Sequence, residues 1–178
     1  PRLVGVRHVL HDEEDDRFML GDAFRRGIES LRNYDLCYDL LLFPKHLPVA
    51  VQLVEEFPEQ RFVLDHIAKP DIAKRITSPW REDLADLAQF PNVSCKLSGM
   101  VTEARWKNWQ PGDFYCYMDI VLEAFGPERV MIGSDWPVCQ LSGDYQSTME
   151  IVINYVNQLP TEVGDGILGN NCAKIYQL

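Results

Sequence analysis

The chain has 178 residues, of which 46% are hydrophobic, and its formal net charge is −10, from 17 Lys and Arg against 27 Asp and Glu. This length is enough for one domain with a substantial core, and the acidic excess disfavours binding to nucleic acid or to anionic membrane surfaces. No apolar run approaches the roughly 20 residues of a spanning helix, and residues 1–10 lack the long apolar region of a signal peptide. We therefore expect a cytoplasmic protein that binds neither nucleic acid nor a membrane.

Short apolar runs rich in β-branched residues alternate with longer stretches of helical period from one end of the chain to the other. The apolar runs predict five strands, at residues 3–10, 37–43, 61–67, 93–97 and 130–133. The stretches between and after them predict helices near residues 18–31, 48–57, 79–90, 115–125, 145–159 and 162–168. Strands joined by helical crossovers are parallel, so the sequence predicts an α/β fold with a single domain over residues 1–178.

Two parallel architectures fit this order of elements. A doubly wound open sheet would be expected to have a glycine-rich phosphate loop after its first strand, and the segment VGVRHVLHDEE has none. A (β/α)₈ barrel agrees with the length of each unit, but a complete barrel needs about 250 residues. Either the sheet is open or the chain is a piece of a barrel.

Ligands bind beyond the carboxyl ends of the strands in both architectures, so the polar residues at those ends form the candidate site. These residues are Arg7, His8, Asp39, Asp65, His66, Lys69, Lys96, Ser98, Ser134, Asp135 and Trp136. Asp135 lies just beyond the end of an apolar strand, after Ser134, where a rigid scaffold can direct an acid into a cleft. The alternative for Asp135 is a plain turn cap before Pro137.

Individual residues of this set have structural alternatives. Alternation along the third predicted strand puts Asp65 and His66 on opposite faces, and we favour His66 as the inward residue over a histidine satisfied within the core. Lys96, within an apolar strand, requires an acid partner or a wet cavity. Arg7 requires a carboxylate or an oxygen-rich substrate, and the alternative for Lys69 is a solvated loop charge.

Three tryptophans are candidates to contact a ring substrate, whereas the histidines and cysteines have no metal-binding spacing. Trp106 and Trp109, on the long loop after the fourth strand, and Trp136, beside Asp135, are candidates to shape a pocket for a sugar or another ring, although packing is the commoner role of tryptophan. The four histidines form no HxH or HExxH pair, and the five cysteines have no CxxC spacing. A metal site made only from these residues therefore has weak support.

Six segments are informative when taken together: LDHIAKP, CKLSGMVTEA, GSDWPV, GNNCAKIYQL, GVRHVLHDE and YDLLLFPKHLP. At these segments the chain resembles the amidohydrolase superfamily, in the branch of metal-dependent hydrolases that contains L-fucono-1,5-lactonase and other sugar lactonases and is related to 2-pyrone-4,6-dicarboxylate lactonase. The resemblance implies a (β/α)₈ TIM barrel whose last five βα units are present here. The N-terminal strands, including the paired histidines of the first, would then be absent from the chain.

The resemblance also implies an activity, the opening of a sugar lactone to its aldonic acid. Asp135 would activate the attacking water, and His66 would polarise the scissile carbonyl. We expect substrate contacts from six further residues, namely Arg7, His8, Asp39, Lys96, Trp106 and Trp136.

Metal requirement and alternative functions remain open at this point. Many relatives place a metal-binding histidine where this chain has Asp39, so two metal ions are not expected. His66 and Asp135 are the candidate ligands, and we expect either no metal or one divalent ion, with zinc as the first choice. Two other functions stay open, decarboxylation as in other branches of the superfamily and a non-catalytic fragment that assembles with another chain. A homo-oligomer is compatible with each of them.

Overall fold

The computed structural model describes residues 3–178 and consists of five parallel strands separated by helices. The strands are β1 (Gly5–His8), β2 (Cys37–Leu40), β3 (Phe62–Leu64), β4 (Val93–Leu97) and β5 (Val130–Ile132). They pair in chain order, and every neighbouring pair is parallel. The predicted α/β class and all five predicted strands are therefore confirmed.

The helices are α1 (Asp22–Leu31), α2 (Leu47–Glu56), α3 (Trp80–Ala88), α4 (Met100–Glu103), α5 (Gly112–Phe125), α6 (Tyr145–Val156), α7 (Thr161–Asp165) and α8 (Asn171–Tyr176). A π-helical segment, Gly166–Asn170, joins α7 to α8. The sequence pattern did not indicate α4 and α8, because each has too few residues to establish a helical period. Within residues 3–178, none of the helices has the length and apolar character needed to cross a membrane.

The outer face of the sheet packs against the helices. Alternate residues of a strand point to opposite faces, and on this face Leu40, Leu64, Leu97 and Val130 have no accessible surface. They belong to one hydrophobic cluster together with the buried residues of α2, α3 and α5. Since full burial of such a side chain contributes about 1.5–3 kcal/mol, this layer holds the strands in place.

The inner face of the sheet is different. Near the amino ends of the strands it has a small apolar cluster of Cys37, Val63 and Met131, against which Ile175 and Tyr176 of α8 pack. Towards the carboxyl ends of the same strands, the inner positions have charged side chains. The candidate active site is formed there.

Candidate active site

A network of charged side chains lines the inner face at the carboxyl ends of β1 to β4. The Lys96 ammonium lies 2.6 Å from Asp39 Oδ2 and 2.8 Å from Asp65 Oδ1. Arg7 Nη1 donates to Asp65 Oδ2 at 2.8 Å, and the Tyr176 hydroxyl donates to Asp39, at 2.8 Å from each carboxylate oxygen. Parallel pairing places Arg7 opposite Asp39 across β1 and β2, so inner residues of successive strands meet in one layer.

Charge pairing within this network decides its protonation states. Burial opposes ionisation of Asp65, but the positive charge of Lys96 and the hydrogen bond from Arg7 outweigh it, so the pKa of Asp65 is lowered. Burial likewise opposes the charge on Lys96, but the carboxylates of Asp65 and Asp39 raise its pKa above the ordinary value. For Asp39, burial dominates and raises the pKa, although Lys96 acts in the opposite direction. Lys96 and Asp65 are therefore both charged at neutral pH.

A left-handed turn brings His66 to the same site. Residues 66–69 all have positive φ, between 49° and 58°, although none of them is glycine. This region is strained for residues with a Cβ, and the β-branched Ile67 is an outlier there. The turn is held by hydrogen bonds from Trp80 Nε1 to the Ile67 carbonyl at 2.7 Å and from the Lys69 amide to the His66 carbonyl at 2.8 Å. Strain of this kind accumulates at functional sites.

This turn corrects the prediction for residues 61–67. Strand alternation as far as Ile67 would put Asp65 and His66 on opposite faces, but β3 ends at Leu64 and the chain then turns. As a result, both side chains reach the site. Asp65, which alternation directed away from His66, has 0% of its surface exposed and pairs with two cations.

The His66 imidazole lies between Ser98 and Asp135. Its Nδ1 is 2.7 Å from Ser98 Oγ, and its Nε2 is 3.2 Å from Asp135 Oδ1. Gly99, at φ 63°, permits this arrangement, because a Cβ there would lie 2.6 Å from His66 Cγ. An ionised carboxylate only accepts hydrogen bonds, so we assign the proton to Nε2, and the Ser98 hydroxyl then donates to Nδ1.

Burial adjusts both members of this pair. It lowers the pKa of His66 to about 4, so the imidazole is neutral at pH 7. It raises the pKa of Asp135, although the charges of Lys69 and Arg7 act in the opposite direction. A carboxylate of raised pKa is a stronger base than usual, and a neutral imidazole N–H is a hydrogen-bond donor. The pair is thus suited to remove a proton from water and to polarise a carbonyl.

Three of the predicted substrate-binding residues, Arg7, Asp39 and Lys96, lie in the charged network. Asp39 and Lys96 are paired with each other, and Lys96 also pairs with Asp65. The Arg7 side chain keeps 48% of its surface exposed while one of its nitrogens is bonded to Asp65. Of the three, Arg7 has the most free donor surface for a ligand.

The structure places His8 away from this group, which corrects its predicted position. Its Nε2 lies 2.5 Å from Glu13 Oε1, and its ring stacks on Phe18, with 5.5 Å between centroids. The reason is strand alternation, because Arg7 faces inward and the next residue of β1 must face the helices.

The tryptophans differ in exposure. Trp106 is 54% and Trp136 61% exposed, and Trp106 Nε1 donates to the Thr102 carbonyl at 2.7 Å. Trp136 directly follows Asp135, so it lies at the rim of the site. Trp109 packs against the core and donates to a backbone carbonyl, which is the structural alternative stated for it.

Sequence reasoning missed Glu103 and Tyr176 and set Lys69 aside. Lys69 Nζ lies 2.5 Å from Glu103 Oε1, and the two side chains are 12% and 20% exposed. Lys69 is therefore a paired, largely buried charge, which rules out its alternative as a solvated loop charge. The available signal was the occurrence of opposite charges in two segments that follow neighbouring strands, LDHIAKP and CKLSGMVTEA. Tyr176 was missed because α8 was not predicted.

The site has some, but not all, of the side chains that a zinc ion needs. Zinc in proteins takes three or four nitrogen, sulfur or oxygen ligands, and His66 and Asp135 are two of suitable type. Residues 3–178, however, contain no group of three or more His, Cys, Asp and Glu side chains placed to hold an ion. The described part of the chain thus does not form a complete zinc site by itself.

Comparisons of sequence agree with these findings. A family model described as Amidohydrolase, Amidohydro_2, matches residues 1–178. An L-fucono-1,5-lactonase from Burkholderia multivorans is 37% identical over 99% of this chain, and the matched part is 64% of that relative. The chain therefore spans less than two thirds of the length of this curated relative.

Comparisons of structure point the same way. The crystal structure of an amidohydrolase from Burkholderia multivorans with bound zinc superposes with a TM-score of 0.92 at 37% identity, over 98% of this chain and 64% of that chain. A structure assigned as a 2-pyrone-4,6-dicarboxylic acid hydrolase from Pseudomonas putida superposes with a TM-score of 0.78, over 97% of this chain and 63% of that chain. Its identity is 21%, so it shows a shared fold alone. The comparisons confirm the predicted resemblance to the amidohydrolase superfamily. They also confirm that the chain forms part of an amidohydrolase-type fold.

Proposed function

The chain belongs to the amidohydrolase family, and on that premise we propose that it hydrolyses a sugar lactone to the open-chain aldonic acid. The lactonase relative supports the class of reaction. The observation on which the mechanism depends is the pair formed by His66 and Asp135, whose Nε2 and Oδ1 atoms are 3.2 Å apart.

Asp135 is the general base of the proposed reaction. It takes a proton from a water molecule while the water oxygen attacks the lactone carbonyl carbon. When the tetrahedral intermediate collapses, the bond between that carbon and the ring oxygen breaks. The ring oxygen then takes the proton from Asp135, which restores the carboxylate. A group that acts first as a base and then as an acid typically raises the reaction rate about 10²- to 10⁴-fold.

His66 stabilises the negative charge that develops on the carbonyl oxygen. Its Nε2–H is directed towards Asp135 in the free protein, and in the complex it would donate to the substrate oxygen beside the attacking water. The hydrogen bond from Ser98 to Nδ1 keeps the imidazole in the tautomer that donates from Nε2. Loss of one such donor typically lowers kcat by about 10²- to 10³-fold.

The substitution Asp135→Asn tests the proposal. It removes the base but keeps the side-chain size, and Asn tolerates the left-handed conformation of residue 135, which has φ 54°. We expect kcat for an aldono-1,5-lactone to fall about 10²- to 10⁴-fold, measured as acid release above the spontaneous rate, with thermal unfolding unchanged. Asp86→Asn, at an exposed position of α3, is the matched control and should keep wild-type turnover. Wild-type turnover by Asp135→Asn would contradict the proposed role.

The two alternative functions are separated by their products. Decarboxylation of an aromatic acid would release carbon dioxide, whereas lactone hydrolysis releases only an acid. A non-catalytic assembly piece would turn over neither substrate and would instead form a stable complex with another chain, detectable by light scattering.

Three finer expectations belong to the same proposal. Zinc is the metal we expect if one is used, since His66 and Asp135 are ligand types that zinc accepts. Elemental analysis of the purified protein tests this. The cytoplasmic location and a homo-oligomeric state also stay predictions, to be checked by cell fractionation and by light scattering.

A further inference from the structure

We infer that Lys69 and Glu103 together bind neighbouring ring hydroxyls of the lactone and so determine substrate specificity. The inference rests on the proposed function. It concerns a part of the site that does not take part in the proton transfers assigned to Asp135 and His66.

The contacts of this pair leave polar atoms free for a ligand. Lys69 Nζ is bonded to Glu103 Oε1, and the Thr102 hydroxyl lies 3.2 Å from the same oxygen. The Phe43 ring lies 5.9 Å from the ammonium. An ammonium has three donors and a carboxylate has two acceptor oxygens. Within residues 3–178, Glu103 Oε2 and two of the Lys69 donors have no hydrogen-bond partner in the structure.

The location of the pair connects it to the reacting groups. Lys69 is the last residue of the left-handed turn that begins at His66, and its amide donates to the His66 carbonyl. Glu103 is the last residue of α4, which follows the Ser98 and Gly99 positions that pack against His66. The charges of Lys69 and Glu103 also act on the pKa of Asp135, in opposite directions. A ring whose carbonyl contacts His66 can therefore direct its substituents towards this pair.

The chemistry of the pair matches that of a polyhydroxylated ring. Each hydroxyl is both a donor and an acceptor, so one hydroxyl can donate to Glu103 while its neighbour accepts from Lys69. Hydrogen bonds to charged groups are stronger than those between neutral groups. A ring without hydroxyls would cover these charges and leave them unpaired, which disfavours its binding.

A purely structural role for the pair makes a different prediction. An ion pair that only fastens α4 to the left-handed turn would affect every lactone equally when it is broken. Loss of the electrostatic effect of the pair on Asp135 would likewise change the activity on every lactone equally. The ratio of two activities, one on a hydroxylated and one on an unsubstituted lactone, therefore separates hydroxyl binding from both of these effects.

The test uses Lys69→Met and Glu103→Gln with two lactones, an aldono-1,5-lactone and unsubstituted δ-valerolactone. We expect kcat/KM for the aldonolactone to fall about 10- to 100-fold more than kcat/KM for δ-valerolactone in each variant. Lys74→Met is the matched control, because it breaks the exposed pair of Lys74 with Asp71 on the same segment. It should leave the ratio of the two activities at the wild-type value.

Equal losses on the two lactones would overturn the inference. A second measurement keeps it separate from the proposed function. Calorimetric binding of the corresponding aldonolactam, which has the hydroxyls but resists hydrolysis, should weaken about 10- to 100-fold in both variants. If the wild type hydrolyses neither lactone, the proposed function fails, and weaker lactam binding in the variants would still support the pair. Lactam affinity that is undetectable in the wild type, or unchanged in the variants, would overturn it.

Discussion

Neighbouring residues of the same strands lie in opposite environments on the two faces of the sheet. Leu40 and Leu97 on the outer face have no exposed surface and belong to the hydrophobic core, whereas Asp39 and Lys96, one position away, form an ion pair on the inner face. Burial of each leucine contributes about 1.5–3 kcal/mol. The net contribution of a buried ion pair is small, because the cost of desolvating the charges offsets most of their attraction. The outer face therefore stabilises the fold, and the inner face arranges charges for the site.

The largest expected effect comes from removing a single charge of the inner face. Lys96→Met leaves Asp39 and Asp65 close together without the ammonium that lies within 2.8 Å of both. An uncompensated buried charge typically lowers the free energy of unfolding by about 3–5 kcal/mol, which urea denaturation would measure. The control is Lys74→Met, in which the broken pair is exposed and we expect little or no loss of stability, because solvent screens an exposed ion pair. Equal losses in the two variants would show that the inner network is as weakly coupled as a surface pair.

The sequence predicted the outer face better than the inner face, for a physical reason. Apolar alternation depends only on local sequence, and it gave β4 its observed limits, Val93–Leu97. It also indicated that Lys96 needs an acid or a wet cavity, and the structure shows two acids. The identity of those acids depends on which residues of distant strands become neighbours, and one sequence contains no direct signal for that.

The left-handed turn shows a second limit of sequence reasoning. Glycine is the usual indicator of positive φ, and residues 66–69 contain none. The conformation is imposed by tertiary contacts, such as the hydrogen bond from Trp80 to the Ile67 carbonyl. For this reason the orientation of Asp65 and the partner of Lys69 could not be read from the strand pattern.

The second prediction concerns the pH dependence of stability. The pKa of His66 is about 4 in the folded protein, against 6.5 for an unperturbed histidine. The unfolded chain therefore binds the proton first as the pH falls. The stabilisation is complete above pH 6.5 and is lost as the pH decreases towards 4, by on the order of 3 kcal/mol in total.

His66→Asn provides the comparison for this prediction. The variant has no imidazole at position 66, and Asn tolerates positive φ. Thermal unfolding between pH 7 and pH 4 should therefore depend less on pH than in the wild type. The pKa of His46 is also lowered by burial, but His46 is present in both proteins and drops out of the difference. Identical pH dependence in the two proteins would contradict the burial of a neutral His66.

A smaller effect is expected at Gly99, which lies directly against the His66 ring. An alanine Cβ would lie 2.6 Å from His66 Cγ, and residue 99 has φ 63°. The left-handed conformation alone costs about 1–2 kcal/mol for a residue with a Cβ, and His66 must also move away from Ser98 and Asp135. We therefore expect Gly99→Ala to lower the free energy of unfolding by about 2 kcal/mol and to slow the proposed lactone hydrolysis.

The smallest expected effect has the opposite sign and comes from the outer layer of helices. Gly27 lies in α1 at an exposed position. Apart from its two chain neighbours and its own helix backbone, no heavy atom of residues 3–178 lies within 4 Å of the place where a Cβ would be added. Gly27→Ala should raise the free energy of unfolding by about 0.5–1 kcal/mol, because alanine restricts the unfolded chain and favours the helix. Thermal unfolding of the two glycine variants side by side measures both. Replacement of glycine by alanine should thus stabilise the protein at position 27, where only backbone freedom changes, and destabilise it at position 99, where the glycine makes room for His66. A loss of stability in Gly27→Ala would contradict this explanation.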